Sequence, residues 1–280
     1  MALDVTLGQY YGTGSVIHRL DPRAKLLFVV FFIVGVFMAK DIYAFALLGA
    51  VVLLSIIISR VPIGLVLKGL KPLIVIILFT SVLNIFLGRG EELLFTKEII
   101  KGFWTVNIYK EGLINAALLT LRIIILLMGT SVYFSYATTP IELTDGLERG
   151  LGFLKKIKVP VHEFAMMMTI ALRFIPTLVD ETNKIMNAQK ARGADFSTGG
   201  LIKRAKALIP IIIPLFVSSF RRAEELATAM ECRCYHGGNG RTRMNVLKMK
   251  LKDYIFILLS MAMLAGVILI NIYARGYKLA

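Results

Sequence analysis

Long apolar runs limit the possible folds of this chain more than any other feature. Five stretches carry almost no charge: 26–39, 43–58, 72–87, 113–136 and 254–274. A helix needs ~20 apolar residues to cross the ~30 Å hydrocarbon core of a bilayer; 113–136 and 254–274 reach that length, and the other three runs predict short spans. The chain is also 57% hydrophobic, whereas soluble domains carry about 45–50% apolar residues. The sequence therefore predicts an all-α polytopic membrane protein with about five transmembrane helices.

Two of these runs, 26–39 and 43–58, are separated by little more than Lys40 and Asp41. Together they are too long for one span, so they predict a tight helical hairpin with the charged pair at its turn. The third run begins at Pro72, where a proline is tolerated because the first turn of a helix leaves its N–H groups unpaired.

The distribution of Lys and Arg predicts the orientation of these spans. With the N-terminus in the cytoplasm, the inner segments are 1–25, 59–71 and 137–253, and the outer segments are 40–42, 88–112 and 275–280. The inner segments hold 25 basic residues and the outer segments hold 7. This predicts a membrane domain of four spans over 1–136, a cytoplasmic region over 137–253 and a last transmembrane helix within 254–280.

The region 137–253 contains two long helical patterns after a shorter amphipathic stretch over 140–156. The first pattern runs from Val161 and stops at Gly193, and the second runs from Leu201 and stops before Gly237. Both have broad apolar faces at helical spacing, which are too apolar for water and favour a position along the inner membrane surface, packed on each other and on a partner. Pro210 and Pro214 predict that the second helix is kinked or divided.

Each long pattern ends with an arginine between two small residues. The two motifs are Ala191-Arg192-Gly193 and Cys232-Arg233-Cys234. A cation near a helix C-terminus is favoured by ~0.3–1 kcal/mol, and glycine suits a left-handed cap, so helix capping alone explains either motif. Small neighbours also leave the planar guanidinium free to enter a groove and bind a carboxylate through two hydrogen bonds, which is the functional alternative.

These paired ends resemble the Ala-Arg-Gly-type motifs of the transmembrane coupling subunit, or T component, of energy-coupling factor transporters. The opening stretch His18–Leu26 and the stretch Met230–Arg243 are also similar to that family. Relatives of this subunit include the cobalt-transport type. The resemblance covers nearly the whole chain in the order of spans, cytoplasmic helices and final span.

The resemblance implies a non-catalytic subunit of an ATP-driven importer in a prokaryotic cell membrane, used for vitamin or micronutrient uptake. It implies two ATP-binding-cassette ATPase subunits as partners, with Arg192 and Arg233 each anchoring one of them. ATP would be bound by those partners, and this chain would bind no cofactor. It also implies a separate substrate-binding membrane subunit, the S component, held on the apolar helix faces. The second motif departs from the family pattern because cysteine replaces the glycine that follows the arginine.

Seven apolar residues are the candidates for the surface that holds the substrate-binding subunit. They are Phe164, Met167, Met168, Ala171 and Leu172 on the first helix and Ile212 and Phe216 on the second. Ordinary packing between helices explains such a face equally well. Methionine side chains repack against different shapes, so an adaptable docking surface is the functional interpretation.

Arg122 is the one basic residue inside an apolar run. An arginine at the centre of a span costs ~2.5–3.5 kcal/mol on insertion scales, so such a residue usually faces protein or water. Asn84 and Asn115 are the expected acceptors of its hydrogen bonds. A structural network within the membrane and a contact with a partner subunit are both compatible with this position.

Three other interpretations are weaker. Cys232, Cys234 and His236 offer three metal ligands, but a closed zinc site needs four and usually a wider spacing. A self-sufficient channel or secondary transporter would need a polar midplane site, for which Arg122 and a few Asn, Ser and Thr residues are available. A membrane enzyme is not favoured, because the sequence shows no nucleophile–base pair. The net charge of +8 over 137–253 is explained by attraction to anionic lipid and to acidic protein grooves, so no nucleic-acid partner is expected.

Overall fold

A computed structural model describes residues 10–87, 93–100, 104–194, 196, 200–237 and 247–278. The helices are α1 (Pro22–Met38), α2 (Ile42–Ser59), α3 (Ile63–Leu70), α4 (Ile74–Leu87), α5 (Lys110–Ser131), α6 (Pro140–Gly150), α7 (Val161–Ala191), α8 (Leu201–Cys232) and α9 (Leu251–Lys278). Short 3₁₀ segments cover Lys71–Leu73 and Leu151–Ile157, and a π-helical turn covers Val132–Tyr136. Strands β1 (Leu93–Ile100) and β2 (Trp104–Tyr109) pair antiparallel. Residues 238–243, part of the stretch that carries the family resemblance, lie outside the described residues.

The chain divides into two compact units. One comprises Gly8–Thr139 with Leu247–Ala280, and the other is formed by Pro140–Val246. The first unit contains the apolar helices and the second contains α6, α7 and α8. The predicted division into membrane and cytoplasmic regions stays a prediction, because it concerns a bilayer that is not part of the structure.

The predicted helical membrane fold is confirmed. Four helical stretches among the described residues are long and apolar enough to cross a membrane: Ile42–Ser59, Ile63–Phe86, Lys110–Tyr136 and Leu251–Ala274. With its 17 residues, α1 lies at the lower end of the length range of transmembrane helices, so about five spans are compatible with the structure. The β1–β2 hairpin lies in the segment 88–112, for which the sequence predicted only a connection.

The third span begins earlier than its predicted start at Pro72. Helix α3 begins at Ile63, directly after Pro62, and continues through the 3₁₀ turn into α4. Pro72 falls within this turn, and the helical run passes through it to Phe86. The segment predicted as an inner loop is therefore mostly helix.

Helix α1 packs against α2, α5 and α9 within the first unit. Aromatic rings form part of these contacts. The Phe28 ring centroid lies 4.4 Å from that of Tyr133 and 4.9 Å from that of Phe256. Gly129 allows α5 to approach α1 closely, since a Cβ at this position would overlap the Phe32 ring. The rings of α1 thus pack closely against α5, the π-helical turn that follows it and α9.

Polar side chains tie the ends of these helices together. Thr13 donates its hydroxyl to the carbonyl of Ser59 at 2.7 Å, and Lys25, which is 1% exposed, donates to the carbonyl of Ala137 at 2.8 Å. Asp253 accepts hydrogen bonds from the backbone N–H groups of Asp21 and Lys250. These contacts satisfy carbonyl and N–H groups that helix ends leave unpaired.

Candidate functional site

Helices α7 and α8 are the two long helices that the sequence predicts, and they contact each other within the second unit. Helix α7 begins at Val161 and ends at Ala191, and α8 runs from Leu201 to Cys232. Helix α8 continues through Pro210 and Pro214, so the alternative of a divided helix is wrong. Helix α7 also contains an internal proline, Pro176.

The end of α7 is a Schellman cap that places Arg192 at the C-cap position. The N–H of Gly193 donates to the carbonyl of Lys190 at 2.9 Å, and the N–H of Ala194 donates to that of Gln189 at 3.0 Å. Gly193 has φ +88°, the left-handed conformation that this cap requires. The predicted glycine cap is therefore present.

The end of α8 has the same cap although it lacks the glycine. The N–H of Cys234 donates to the carbonyl of Glu231 at 2.8 Å, and the N–H of Tyr235 donates to that of Met230 at 3.1 Å. Cys234 takes φ +53°, in a region that costs a residue with a Cβ about 1–2 kcal/mol. The loss of glycine after Arg233 thus leaves the cap geometry unchanged but makes it strained.

The two arginines consequently have nearly the same backbone conformation. Arg192 has φ −87° and ψ 7°, and Arg233 has φ −93° and ψ 16°. Both side chains are exposed, and neither has an ion-pair or hydrogen-bond partner within the ranges that the structure describes. Each is an unpaired cation at a helix end, with small residues on both sides. This arrangement suits capture by an acidic groove.

The predicted docking residues form exposed apolar surface. Phe164, Met167, Met168, Ile212 and Phe216 are each more than half exposed, Ala171 is exposed and Leu172 is half-buried. Three residues outside the predicted docking set are also more than half exposed and extend the face on α8: Ile213, Val217 and Phe220. Contiguous exposed apolar surface of this kind marks a protein or membrane contact. The assignment of these residues to a partner remains a prediction.

An ion pair connects α7 and α8, and the sequence patterns did not indicate it. Arg222 Nη2 donates to Glu181 Oε2 at 3.1 Å, and both side chains are partly exposed. A polar side-chain pair connects α6 to the start of α7, with His162 Nδ1 within hydrogen-bonding distance, 3.0 Å, of Glu148 Oε1. Neither pair could be found from local periodicity, because each joins residues from different helices.

Arg122 contacts the turn between α1 and α2. Its Nη2 donates to the carbonyl of Ala39 at 2.7 Å, and its guanidinium carbon lies 5.5 Å from the Phe45 ring centroid. The expectation that Asn84 and Asn115 accept hydrogen bonds from Arg122 is wrong over the described residues, where Arg122 donates to Ala39 and the Asn84 amide donates to the carbonyl of Thr80. Arg122 therefore joins α5 to the end of α1, as the structural interpretation expects, and its contact with a partner subunit stays a prediction.

Cys232 and Cys234 are free and exposed. Over the described ranges, which include both cysteines and His236, no three His, Cys, Asp or Glu side chains are grouped to hold a metal ion. The structure therefore adds no support to a metal site at this helix end. The arginine ends and the apolar faces remain the candidate functional surfaces.

Comparisons with known proteins agree with the resemblance seen in the sequence. A family model described as cobalt transport protein matches residues 13–244. An energy-coupling factor transporter transmembrane protein EcfT of Clostridium kluyveri is 50% identical over 98% of this chain and 99% of its own length. The proteins of the same name from Acidaminococcus fermentans and Bacillus subtilis are 52% and 45% identical, over 88% and 94% of this chain and 89% and 96% of their own lengths. The chain therefore belongs to the cobalt transport protein family, among the transmembrane proteins of energy-coupling factor transporters.

Proposed function

We propose that this chain is the coupling subunit of an energy-coupling factor importer for a vitamin or another micronutrient. It links ATP hydrolysis by two partner ATPase subunits to movement of a separate substrate-binding membrane subunit. The chain itself carries no catalytic residue and binds no ATP. Its N-terminus lies in the cytoplasm, on the same side as α7 and α8.

The observation that carries this proposal is the pair of matching arginine ends. Two helices in one chain end in the same cap, with an exposed and unpaired arginine at the same cap position. A single cap of this kind is explained by helix termination alone. Two equivalent ends suit two similar partners, such as a pair of related ATPase subunits.

Each end supplies the chemistry for a charged groove. The guanidinium is planar, permanently charged and able to bind a carboxylate through two parallel hydrogen bonds. The neighbours of each arginine are too small to block its approach to a groove. They are Ala191 and Gly193 beside Arg192, and Cys232 and Cys234 beside Arg233. Because each arginine also ends a helix, its backbone position is rigid rather than that of a mobile loop.

The exposed apolar faces support the second part of the proposal. Phe164, Met168 and Phe216 expose apolar surface, and its contact with water is unfavourable. Covering this surface with a partner would lower the free energy. The substrate-binding subunit would cover this face, and its methionines would accommodate more than one such partner. Movement of the helix ends by the ATPases would then change the surface on which the substrate-binding subunit rests.

Charge reversal at the two ends tests the coupling role. Arg192→Glu and Arg233→Glu should each insert into the membrane normally and lose one ATPase subunit in a mild-detergent pull-down. Arg221→Glu makes the same charge change at an exposed site on α8 away from its end, and should retain both ATPases. Normal recovery of both ATPase subunits with the first two variants would contradict the proposal.

A separate substitution tests the apolar face. Phe216→Asp should reduce recovery of the substrate-binding subunit while both ATPases remain bound. Phe153→Asp introduces the same change at another exposed phenylalanine and serves as the control. Equal recovery of the substrate-binding subunit with both variants would argue against docking on α8.

A further inference from the structure

We infer that the Glu181–Arg222 ion pair is the pivot about which α7 and α8 move, with arms of equal length to the two arginines. The inference rests on the proposed coupling function. It assigns Glu181 and Arg222 as positioning residues, because they would act through Arg192 and Arg233 rather than touch a partner themselves.

The position of the pair along the two helices is the first observation. Glu181 lies eleven residues before Arg192, and Arg222 lies eleven residues before Arg233. At ~1.5 Å rise per residue, each arginine is about 16 Å from the pair along its helix. A contact between two helices of 31 and 32 residues has no general reason to be equally distant from both caps.

The composition of the arms is the second observation. Neither 182–191 nor 223–232 contains proline or glycine. The internal prolines Pro176, Pro210 and Pro214 all precede the pair. Proline weakens the hydrogen-bond ladder of a helix, so bending is favoured before the pair and disfavoured after it. The segments that carry the arginines should thus move as rigid rods.

The chemistry of the pair is the third observation. The two side chains are joined by a charged hydrogen bond of 3.1 Å and are 36% and 26% exposed for Arg222 and Glu181. A charged hydrogen bond is directional, so this pair favours one register of α7 against α8 in addition to their packing. Because it is a single contact point, it can favour this register while the angle between the helices changes.

Equal and rigid arms make the separation of the arginines a direct function of that angle. With arms of about 16 Å, a change of ~10° between the helices moves the two ends by up to about 3 Å relative to each other. If the pair were broken, one helix could slide past the other, and the same force on the arginines would displace them unequally. The pair thus makes the response of two separate binding ends symmetrical.

Distance measurements between the two ends test this role. The full chain in lipid nanodiscs would carry spin labels at Lys190→Cys and Glu231→Cys, with Cys232 and Cys234 replaced by serine. Glu181→Arg and Arg222→Glu each place like charges together, and each should shift the main label distance by about 3 Å or broaden its distribution by a similar amount. Glu181→Gln keeps the side-chain size and should give a smaller shift in the same direction.

The charge swap and two neighbours complete the test. Combining Glu181→Arg with Arg222→Glu should restore the original distance distribution, because the pair is re-formed with opposite polarity. Asp180→Arg and Arg221→Glu make the same charge changes at adjacent exposed positions and should leave the distribution unchanged. Single variants that behave like these controls, or a swap that fails to restore the distance, would overturn the inference.

The outcome is separable from that of the proposed function. If Arg192→Glu retains both ATPase subunits while the pair variants change the distance, the coupling role fails and the geometric role of the pair holds. If Arg192→Glu loses an ATPase subunit while the pair variants leave the distance unchanged, only the pivot is refuted.

Discussion

Replacement of Gly193 by alanine should weaken the end of α7, whereas replacement of Cys234 by glycine should strengthen the end of α8. The two positions are equivalent in the two Schellman caps, with φ +88° at Gly193 and +53° at Cys234. One cap therefore has the residue that this conformation favours, and the other does not. Gly193→Ala removes the favoured residue from the cap of α7, and Cys234→Gly introduces it into the cap of α8.

The magnitude follows from the surroundings of Gly193. No atom lies within 4 Å of a Cβ added there, so the cost of alanine is conformational and not a clash. A left-handed conformation costs an L-residue about 1–2 kcal/mol, and the smaller entropy of unfolded alanine returns about 0.4–1 kcal/mol. The net loss is about 1 kcal/mol, and Cys234→Gly should gain a similar amount by the same reasoning.

Hydrogen exchange of the capping amides measures this difference. A change of about 1 kcal/mol alters an opening equilibrium about fivefold, since 1.4 kcal/mol corresponds to tenfold. In Gly193→Ala, the amides of residues 193 and 194 should exchange about fivefold faster, and those of 234 and 235 should not change. In Cys234→Gly, the amides of 234 and 235 should exchange about fivefold more slowly.

Gly152→Ala provides a matched control, because this glycine also has open space around it but no positive φ. It should leave exchange at both caps unchanged and should not lower thermal stability. Unchanged exchange at the α7 cap in Gly193→Ala would refute the reasoning. Faster exchange at the α8 cap in Cys234→Gly would do so as well.

Three further substitutions or measurements test other parts of the structure. Gly129→Ala should lower the free energy of unfolding in detergent by about 1–3 kcal/mol, because the added methyl overlaps a phenylalanine ring of α1; Gly64→Ala, which meets no neighbouring atom, should not lower it. Asp253→Ala should lower the free energy of unfolding by about 1–3 kcal/mol, since it removes the acceptor of a buried backbone N–H. A loss no larger than that caused by a substitution at an exposed position would count against this. If the proposed ATPase subunits bind at these helix ends, maleimide labelling of the exposed Cys232 and Cys234 should be slower in the complex than in the chain alone, and an unchanged rate would contradict binding there.

The spans and the two long helices could be predicted because each depends on local information. Hydropathy identifies a segment that is long enough for a bilayer, and helical spacing identifies α7 and α8 with their ends. Glycine and arginine at the end of α7 are a local C-terminal signal. These features need no knowledge of which helix lies beside which.

The start of the third span could not be predicted from the same signals. Pro72 favours a helix start at its own position, but a 3₁₀ turn accommodates it within a helical run that begins at Ile63. The cap at Cys234 could not be predicted either, because cysteine has no preference for a left-handed conformation. In both places the surrounding structure overrides the preference of one residue.

The contacts of charged residues depend on tertiary structure, so they could not be predicted from the sequence. Glu181 and Arg222 lie 41 residues apart in sequence, and Arg122 and Ala39 lie 83 apart. The acceptor of Arg122 is a backbone carbonyl, which every residue carries, so no residue type could have indicated it. Asn84 was the plausible side chain, but its amide donates within its own helix.

The hydrogen bond between Arg122 and Ala39 has a consequence for the lipid around the protein. It places the end of α1 beside the middle of α5, and α1 has 17 residues, which is about 26 Å of helix. A bilayer core of ~30 Å is thicker than that, so the lipid next to α1 and α2 should thin by a few ångström to avoid hydrophobic mismatch. Thinning brings Arg122 closer to the water at the hairpin turn, and the transporter should be sensitive to the acyl-chain length of the lipids beside this hairpin.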